Sequence, residues 1–216
     1  EARRLAEPVS EVAALGKYVN DGDVEYLRVR LNGTCDHNVE RHLYAPTTKA
    51  QGWHVYTLFQ PDGGLPPIFV NRGWVPNDLK EAAKRGEGQV TGSVMLTGLL
   101  RLAQARGYFS PPDDAAGNHW YTRDAEAMRW GSKGPPSPAD LALSNAKAIA
   151  PFTLDAEAEP ANPGEWPKGG TTELRLPNNH LQYVLTWYGL ALTLIGVFVA
   201  FARQRLAALD RGDLQP

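Results

Sequence analysis

The sequence contains very little cysteine and no dense cluster of basic residues, and each shortage excludes a class of protein. Cys35 is the only cysteine among 216 residues, so the chain forms no internal disulfide and has no CxxC or CxxCH motif for thiol redox chemistry or covalent haem attachment. Its 22 Lys and Arg residues are scattered and are outnumbered by 24 Asp and Glu. A nucleic-acid surface needs concentrated positive charge, so no nucleic-acid partner is expected.

One stretch of the chain lacks charge over a membrane-spanning length. Residues 183–202 contain no charged side chain, and at about 1.5 Å per residue they cross a hydrocarbon core of about 30 Å. We predict a transmembrane helix over 180–203, between an extracytoplasmic domain (1–179) and a cytoplasmic tail (204–216). The basic residues favour a cytoplasmic C-terminus by a small excess, with Arg203, Arg205 and Arg211 after the span and Lys168 and Arg175 before it.

The rest of the chain is rich in strand patterns. Residues 24–33 alternate with a period of two, and the aromatic and β-branched run 53–60 is followed across the turn PDGG by a partner strand over 66–76. Together the patterns favour a mainly β (α+β) fold, in which an antiparallel sheet or barrel carries short inserted helices. Further strand candidates are 39–45, 88–102, 149–160 and 171–177, and the helix candidates are 10–20, 123–131 and 136–148.

Two groups of residues suggest chemistry of their own. Cys35 and His37 share one face of a strand and could hold a soft metal such as copper, although the sequence has no tight cluster of the structural-zinc type. Ser110, His119 and Asp113 or Asp124 are close in sequence, but no nucleophile elbow or phosphate-binding glycine loop accompanies them. Ordinary polar residues of turns and strands are the simpler interpretation of both groups, and we expect no enzyme activity.

The stretch NRGWVP (71–76) has the features of a strand end. Gly73 indicates a backbone with unusual torsions or a close approach of another segment, and Pro76 ends the hydrogen-bonded ladder. Arg72 is flanked by aromatic residues and could clamp a carboxylate. The residues alone favour a strand-end turn with a solvated arginine, and the carboxylate clamp is the alternative.

A single histidine, His180, stands three residues before the uncharged run. His180, Tyr183, Val184, Trp187 and Ala191 recur at the spacing of one helix face. Such a face at the water–lipid boundary suits a flat amphipathic ligand such as haem, with the imidazole on iron and the aromatic rings against the macrocycle. An interfacial histidine that caps the helix or reaches toward the headgroups explains the spacing equally well.

The wording of several motifs resembles a known family. VNRGWVP (70–76) and WPKGGTTELRLPNNHLQYVLTWYGLALTLIGVF (166–198) closely resemble the surfeit-locus family of cytochrome c oxidase assembly proteins, in its bacterial form. Shorter matches are VEYLRVRLNGTCDHNVE, TGLLR, FSPPDDAAGNHWYTRD and PFTLDAEA, so the resemblance covers nearly the whole chain. Cys35 is a departure, since the family usually has phenylalanine there, and the change indicates a small buried apolar side chain.

The resemblance implies a membrane-anchored factor that binds haem a transiently and aids its insertion into the large catalytic subunit of the haem-copper oxidase. It also implies a second membrane helix upstream of Glu1, a main domain on the periplasmic side of the bacterial inner membrane, and the haem a synthesis machinery as a second candidate partner. The alternative is a structural assembly factor or accessory subunit that binds oxidase intermediates without haem. The implied cofactor-binding residues are His180 as iron ligand, Tyr183 and Trp187 on the macrocycle, and Arg72, Gly73 and Trp74.

Overall fold

The computed structural model of the chain describes residues 2–130, 149–172 and 180–210. The chain divides into two compact units, Glu1–Thr172 and Glu173–Pro216. The first unit contains the strands and the short helices, and the second contains one long helix. The predicted helix over 136–148 and most of the predicted strand over 171–177 lie outside the described residues.

Strands dominate the described part of the first unit, as the alternating patterns predict. The strands are β1 (Val9–Ser10), β2 (Arg28–Tyr44), β3 (Gly52–Pro61), β4 (Ile68–Pro76), β5 (Ser93–Arg101), β6 (His119–Trp120) and β7 (Thr153–Ala156). The helices are α1 (Ala2–Leu5), α2 (Glu11–Asp21) and α3 (Ala125–Trp130). Short 3-10 turns occupy Asp62–Gly64, Asn77–Leu79, Ala82–Gly88 and Pro163–Glu165.

Five of these strands close into a barrel. They pair in the order β2–β3–β4–β7–β5, and β5 pairs again with β2. Every pairing around the barrel is antiparallel except β4–β7, which is parallel with Phe69 opposite Thr153. The predicted mainly β, barrel-like fold is confirmed. The sheet is mixed because β7 returns to β4 through a long connection, which a parallel pair requires.

The interior of the barrel is apolar, and every barrel strand contributes to it. Side chains at alternate positions of a strand point inward, as Ile68 and Val70 of β4 do. The helix α2 packs Ala14 against this core and confirms the helix predicted over 10–20, with Ser10 accepting a hydrogen bond from the Ala13 backbone at 3.3 Å as N-cap. Each large buried side chain contributes about 1.5–3 kcal/mol. The buried residues of this core are Ala14, Val24, Val29, Leu31, Phe59, Ile68, Val70, Leu100, Ala150, Phe152 and Leu154.

A second apolar cluster lies on the outer face of β3 and β4. Phe69 alternates with Ile68 and Val70, so its side chain points away from the barrel interior. The helix α3 covers this face and buries Met128 completely. Both faces of β4 are therefore covered, which explains why its sequence is apolar without a clear alternation. The buried residues of this cluster are Val39, Leu43, Tyr56, Leu58, Phe69, Trp120, Ala125, Met128 and Ile149.

The strands predicted separately over 24–33 and 39–45 belong to one long strand. The register between β2 and β3 shifts between Asp36 and Glu40. Asp36 accepts a hydrogen bond from the backbone of Asn38 at 3.0 Å, and this local contact interrupts the alternation. The sequence favours a turn between these two strand candidates, but the structure has a bulge-like irregularity within one continuous strand. The irregularity separates the half of β2 that pairs with β5 from the half that continues along β3.

Glu11 gives the fold a pH dependence. The residue is only 3% exposed at the start of α2, and neither carboxylate oxygen has a hydrogen-bond partner in the described part of the chain. Burial raises the pKa of Glu11 from 4.5 to about 7. The folded state therefore favours the neutral form of Glu11. Its contribution to the free energy of unfolding is complete below pH 4.5 and is lost as the pH rises through 7, a difference of about 3 kcal/mol.

We therefore expect urea unfolding of the full chain in detergent micelles to give a lower free energy of unfolding at pH 8 than at pH 5. The substitution Glu11→Gln removes the titrating group and should abolish most of this difference. The control Glu81→Gln changes an exposed glutamate and should preserve it. An equal pH dependence in the parent and in Glu11→Gln would assign the effect to another group.

Candidate functional site

Arg72 lies inside the end of the barrel. It follows Ile68 and Val70 at alternate positions of β4, so it shares their inward-facing side. Only 4% of the residue is exposed. The interpretation of Arg72 as a solvated residue of a strand-end turn is therefore wrong.

Acceptors from three separate segments surround the Arg72 guanidinium. Its Nη2 donates to the Gly88 carbonyl and to Oδ1 of Asn162 at 2.8 Å, and its Nη1 lies 3.4 Å from Nδ1 of His37. Burial lowers the pKa of Arg72. A carboxylate ligand would reach this guanidinium only if these acceptors gave way, so the carboxylate clamp stays a prediction.

The NRGW block is in contact with the segment that leads toward the C-terminus. Nδ2 of Asn162 donates to the carbonyls of Arg72 at 3.1 Å and Pro167 at 2.6 Å. The backbones of Trp74 and Lys168 exchange hydrogen bonds of 2.8 and 2.9 Å. Arg72 and Asn162 are 90 residues apart in sequence. The NRGW block and the segment from Asn162 to Lys168 therefore form one structural site.

Gly73 permits this close contact. Its φ of +132° belongs to the region that favours glycine, and a Cβ at this position would overlap the Lys168 carbonyl. Both reasons predicted for a glycine here, unusual torsions and close approach, are confirmed. Pro76 ends β4, also as predicted.

Trp74 connects β4 to the turn between β2 and β3. Its indole Nε1 donates to the Ala45 carbonyl at 2.8 Å, and the ring lies 6.2 Å from the ring of Trp166. A Cβ at residue 52 would overlap the indole, so Gly52 provides the space for it. These contacts explain Trp74 as a structural residue, and its role in binding a cofactor stays a prediction.

The copper alternative gains no support from the donor geometry. Cys35 packs against the barrel core, and burial raises the pKa of its thiol. Nε2 of His37 lies 2.8 Å from the Val90 carbonyl, which can only accept, so this nitrogen carries the proton. The described ranges contain no group of three or more His, Cys, Asp or Glu residues placed to hold a metal ion.

A buried ion-pair network lies in the same domain and was not found from the sequence. Glu40 accepts hydrogen bonds from Arg85 and from Nε2 of His42, the latter at 2.7 Å. Burial acts to raise the pKa of Glu40, but the hydrogen bonds from His42 and Arg85 outweigh it and lower the pKa. Asn118 donates to the Glu40 carbonyl at 2.9 Å from a position 78 residues away in sequence. These residues share no motif, so the sequence offers no signal for the network.

Asp113 and Asp124 act as structural groups. Asp113 accepts from the Tyr121 backbone at 2.7 Å and from Arg106 at 2.6 Å. Asp124 accepts from the Ala127 backbone at 3.1 Å in the first turn of α3. These contacts explain both carboxylates without a catalytic role, in agreement with the simpler interpretation of these residues.

The second unit contains the helix α4 (His180–Asp210). Its segment Leu181–Ala208 is long and apolar enough to be a candidate membrane span, and it includes the uncharged run of the sequence. The helix continues beyond Ala202 because the following residues are mostly strong helix formers such as Ala, Leu, Arg and Gln.

Two aromatic rings occupy the helix face predicted for a ligand. With 3.6 residues per turn, Tyr183 and Trp187 stand within about 60° of His180 around the axis of α4. Tyr183 is 62% and Trp187 68% exposed. The helix begins at the backbone of His180, and the described side chains of the helix start at Leu181.

Comparison with known proteins identifies the family. A sequence model of the SURF1 family matches residues 1–192, which include the NRGW block and the first turns of α4. The chain belongs to the SURF1 family. Relatives include Surfeit locus protein 1 of Mus musculus, 35% identical over 205 residues, and of Homo sapiens, 35% identical over 208 residues, each covering 88% of this chain.

The matches cover most of this chain but a smaller share of each relative. Surfeit locus protein 1 of Takifugu rubripes is 34% identical over 184 residues, which cover 77% of this SURF1-family chain and 70% of that relative. The chain spans about three-fifths of the length of the mouse and human relatives, 61% and 63%. The predicted family is confirmed, and together with the candidate span it fits a membrane protein.

Proposed function

We propose that this SURF1-family chain is a membrane-anchored assembly factor for haem-copper (cytochrome c) oxidase that binds haem a and aids its insertion into the large catalytic subunit. The observation that carries the proposal is the helix α4, which begins at His180 and leaves Tyr183 and Trp187 exposed on the same face. Family membership supports the role in oxidase assembly. In this proposal the main domain stands on the periplasmic side of the bacterial inner membrane and the C-terminus is cytoplasmic.

The residues of this helix face suit a flat, apolar ligand with a metal at its centre. An imidazole nitrogen is a common axial ligand of haem iron. The rings of Tyr183 and Trp187 offer apolar faces at the level of a bilayer interface, where aromatic side chains are enriched. Haem a supplies the oxidase with redox-active iron. The chain's own residues would hold it, orient it and shield one of its faces from water.

A single exchangeable axial ligand also suits delivery. Transfer proceeds only if the acceptor binds the cargo more tightly than the donor does. Two strong axial ligands from this chain would oppose release, whereas one histidine at the start of a helix leaves the acceptor a free coordination position. The haem a synthesis machinery is then the partner that supplies the cargo.

We propose a second contact with haem a at the NRGW block, made by Arg72 and supported by Gly73 and Trp74. A propionate contact by Arg72 requires its guanidinium to exchange the Gly88 and Asn162 acceptors for a carboxylate. Gly73 and Trp74 would support this exchange through the backbone contact with Lys168.

The decisive test is an absorption spectrum of the full-length protein purified from haem a-producing cells. We expect a haem a spectrum in the parent and a loss of about ten-fold or more in His180→Ala, because a sole axial ligand provides much of the affinity for iron. The control Gln182→Ala changes an exposed residue on the opposite side of α4 and should retain the haem.

Two results would contradict the proposal. If His180→Ala retains as much haem a as the parent, His180 is not the ligand. If neither protein contains haem a while the oxidase subunit still co-purifies, the chain is a structural assembly factor that binds oxidase intermediates without cargo.

A further inference from the structure

The connection that follows β5 contains an exposed aromatic turn. The Ser110 backbone donates to the Gly107 carbonyl at 3.0 Å and closes a β-turn with Tyr108 and Phe109 at its centre. The two rings meet edge to face, with centroids 5.0 Å apart. Tyr108 is 94% and Phe109 92% exposed, more than any other large apolar side chain recorded in residues 2–130 and 149–172.

The base of this turn is braced. Arg106 donates from Nη1 to the Pro111 carbonyl at 3.0 Å and from Nη2 to Asp113 at 2.6 Å. Asp113 is itself held by the Tyr121 backbone at 2.7 Å. A single exposed apolar side chain is ordinary on a protein surface. Two adjacent aromatic rings at the tip of a braced turn instead indicate a surface that contacts an apolar partner or lipid.

The loop begins beside Thr172, the last described residue before α4. Asp155 accepts from Nη1 of Arg101 at 2.9 Å and from Oγ1 of Thr172 at 2.8 Å. Arg101 is the last residue of β5, directly before the loop, and Thr172 is the last described residue before α4. Arg101 at the start of the aromatic loop and Thr172 therefore both bind the carboxylate of Asp155.

Chain length limits the distance between this edge and the membrane. The nine residues from Thr172 to Leu181 span at most about 30 Å, and the seven from Arg101 to Tyr108 span at most about 25 Å. If α4 crosses the bilayer, as the proposed function requires, the aromatic turn can reach the headgroup region. Aromatic side chains, tyrosine in particular, are enriched at that depth.

We propose that Tyr108 and Phe109 insert into the headgroup region of the membrane that α4 crosses. The turn is then an attachment of the domain to the bilayer in addition to α4, and it restricts the rotation of the domain relative to the membrane. The occupant of this surface is lipid. The contact depends on α4 as an anchor but not on haem, so it is tested in protein that carries no haem.

The experiment places a fluorescent label beside the turn and keeps both rings. Full-length protein with Cys35→Ala and Ser110→Cys is labelled with an environment-sensitive fluorophore and reconstituted into phosphatidylcholine–phosphatidylglycerol vesicles without other proteins. Lipids with a spin-labelled quencher in the headgroup region are then added. A second label at Lys49→Cys, an exposed position in the turn between β2 and β3, is the control. Circular dichroism confirms the fold of each variant.

We expect quenching at position 110 to exceed that at position 49 by about two-fold or more, because interfacial rings hold the turn at headgroup depth. Replacing the rings by Tyr108→Ser and Phe109→Ser in the position-110 background should remove this difference. Equal quenching at the two positions would overturn the proposal. Quenching at position 110 that persists after both rings are replaced would do the same. The vesicles contain no partner protein, so a protein-only docking surface would give no quenching.

Discussion

Arg72→Ala is expected to lower the free energy of unfolding by about 3 kcal/mol or more in the complete absence of haem. The substitution leaves the buried Gly88 carbonyl and Oδ1 of Asn162 without their donor, at about 1–3 kcal/mol for each unsatisfied group, and opens a cavity at the end of the barrel. Urea unfolding of the full chain in micelles, followed by tryptophan fluorescence, measures the effect.

Two further variants separate charge, volume and position. Arg72→Met fills most of the space without hydrogen bonds, so it should be less destabilising than Arg72→Ala. Arg30→Ala removes an exposed arginine from β2 and should change stability by less than about 0.5 kcal/mol. If Arg72→Ala is as stable as the parent but no longer retains haem a, its guanidinium serves a ligand, as the resemblance implies.

The part of the fold that could be predicted is the part encoded by short-range patterns. The helix α2 follows from Ser10 and the apolar spacing after it, and β3 follows from an aromatic and β-branched run. The torsion of Gly73 and the end of β4 at Pro76 were also predictable, because they follow from the chemistry of single residues.

The remaining features depend on contacts between distant segments. The sequence of β4 does not show which of its residues face the barrel interior. Phe69 and Val70 are adjacent and lie on opposite faces of the strand, but both are fully buried. The burial of Arg72 therefore could not be predicted. The break after Asp36 resembles a turn because an aspartate that bonds to the backbone two residues later favours either a turn or a bulge.

The candidate membrane helix was the easiest element to predict, and what occupies its exposed face was the hardest. Twenty residues without charge suffice to indicate a membrane span, and the spacing of Tyr183 and Trp187 places them on one face. Neither feature identifies what occupies that face. Only family membership connects this face with the proposed binding of haem a.

Gly73→Ala is expected to destabilise the domain by about 4 kcal/mol. The backbone at φ +132° is strained for alanine by about 1–3 kcal/mol. The new Cβ would also overlap the Lys168 carbonyl, so the two hydrogen bonds between Trp74 and Lys168 must break, at about 1 kcal/mol each.

The matched control for Gly73→Ala is Gly63→Ala. Gly63 also has a positive φ, +79°, but a Cβ there would meet nothing within 4 Å. Its cost should therefore be the torsional strain alone, about 1–2 kcal/mol. Equal losses of stability in the two variants would show that the contact with Lys168 contributes nothing. A larger loss in Gly73→Ala means that the NRGW block stabilises the domain by holding the backbone at Lys168.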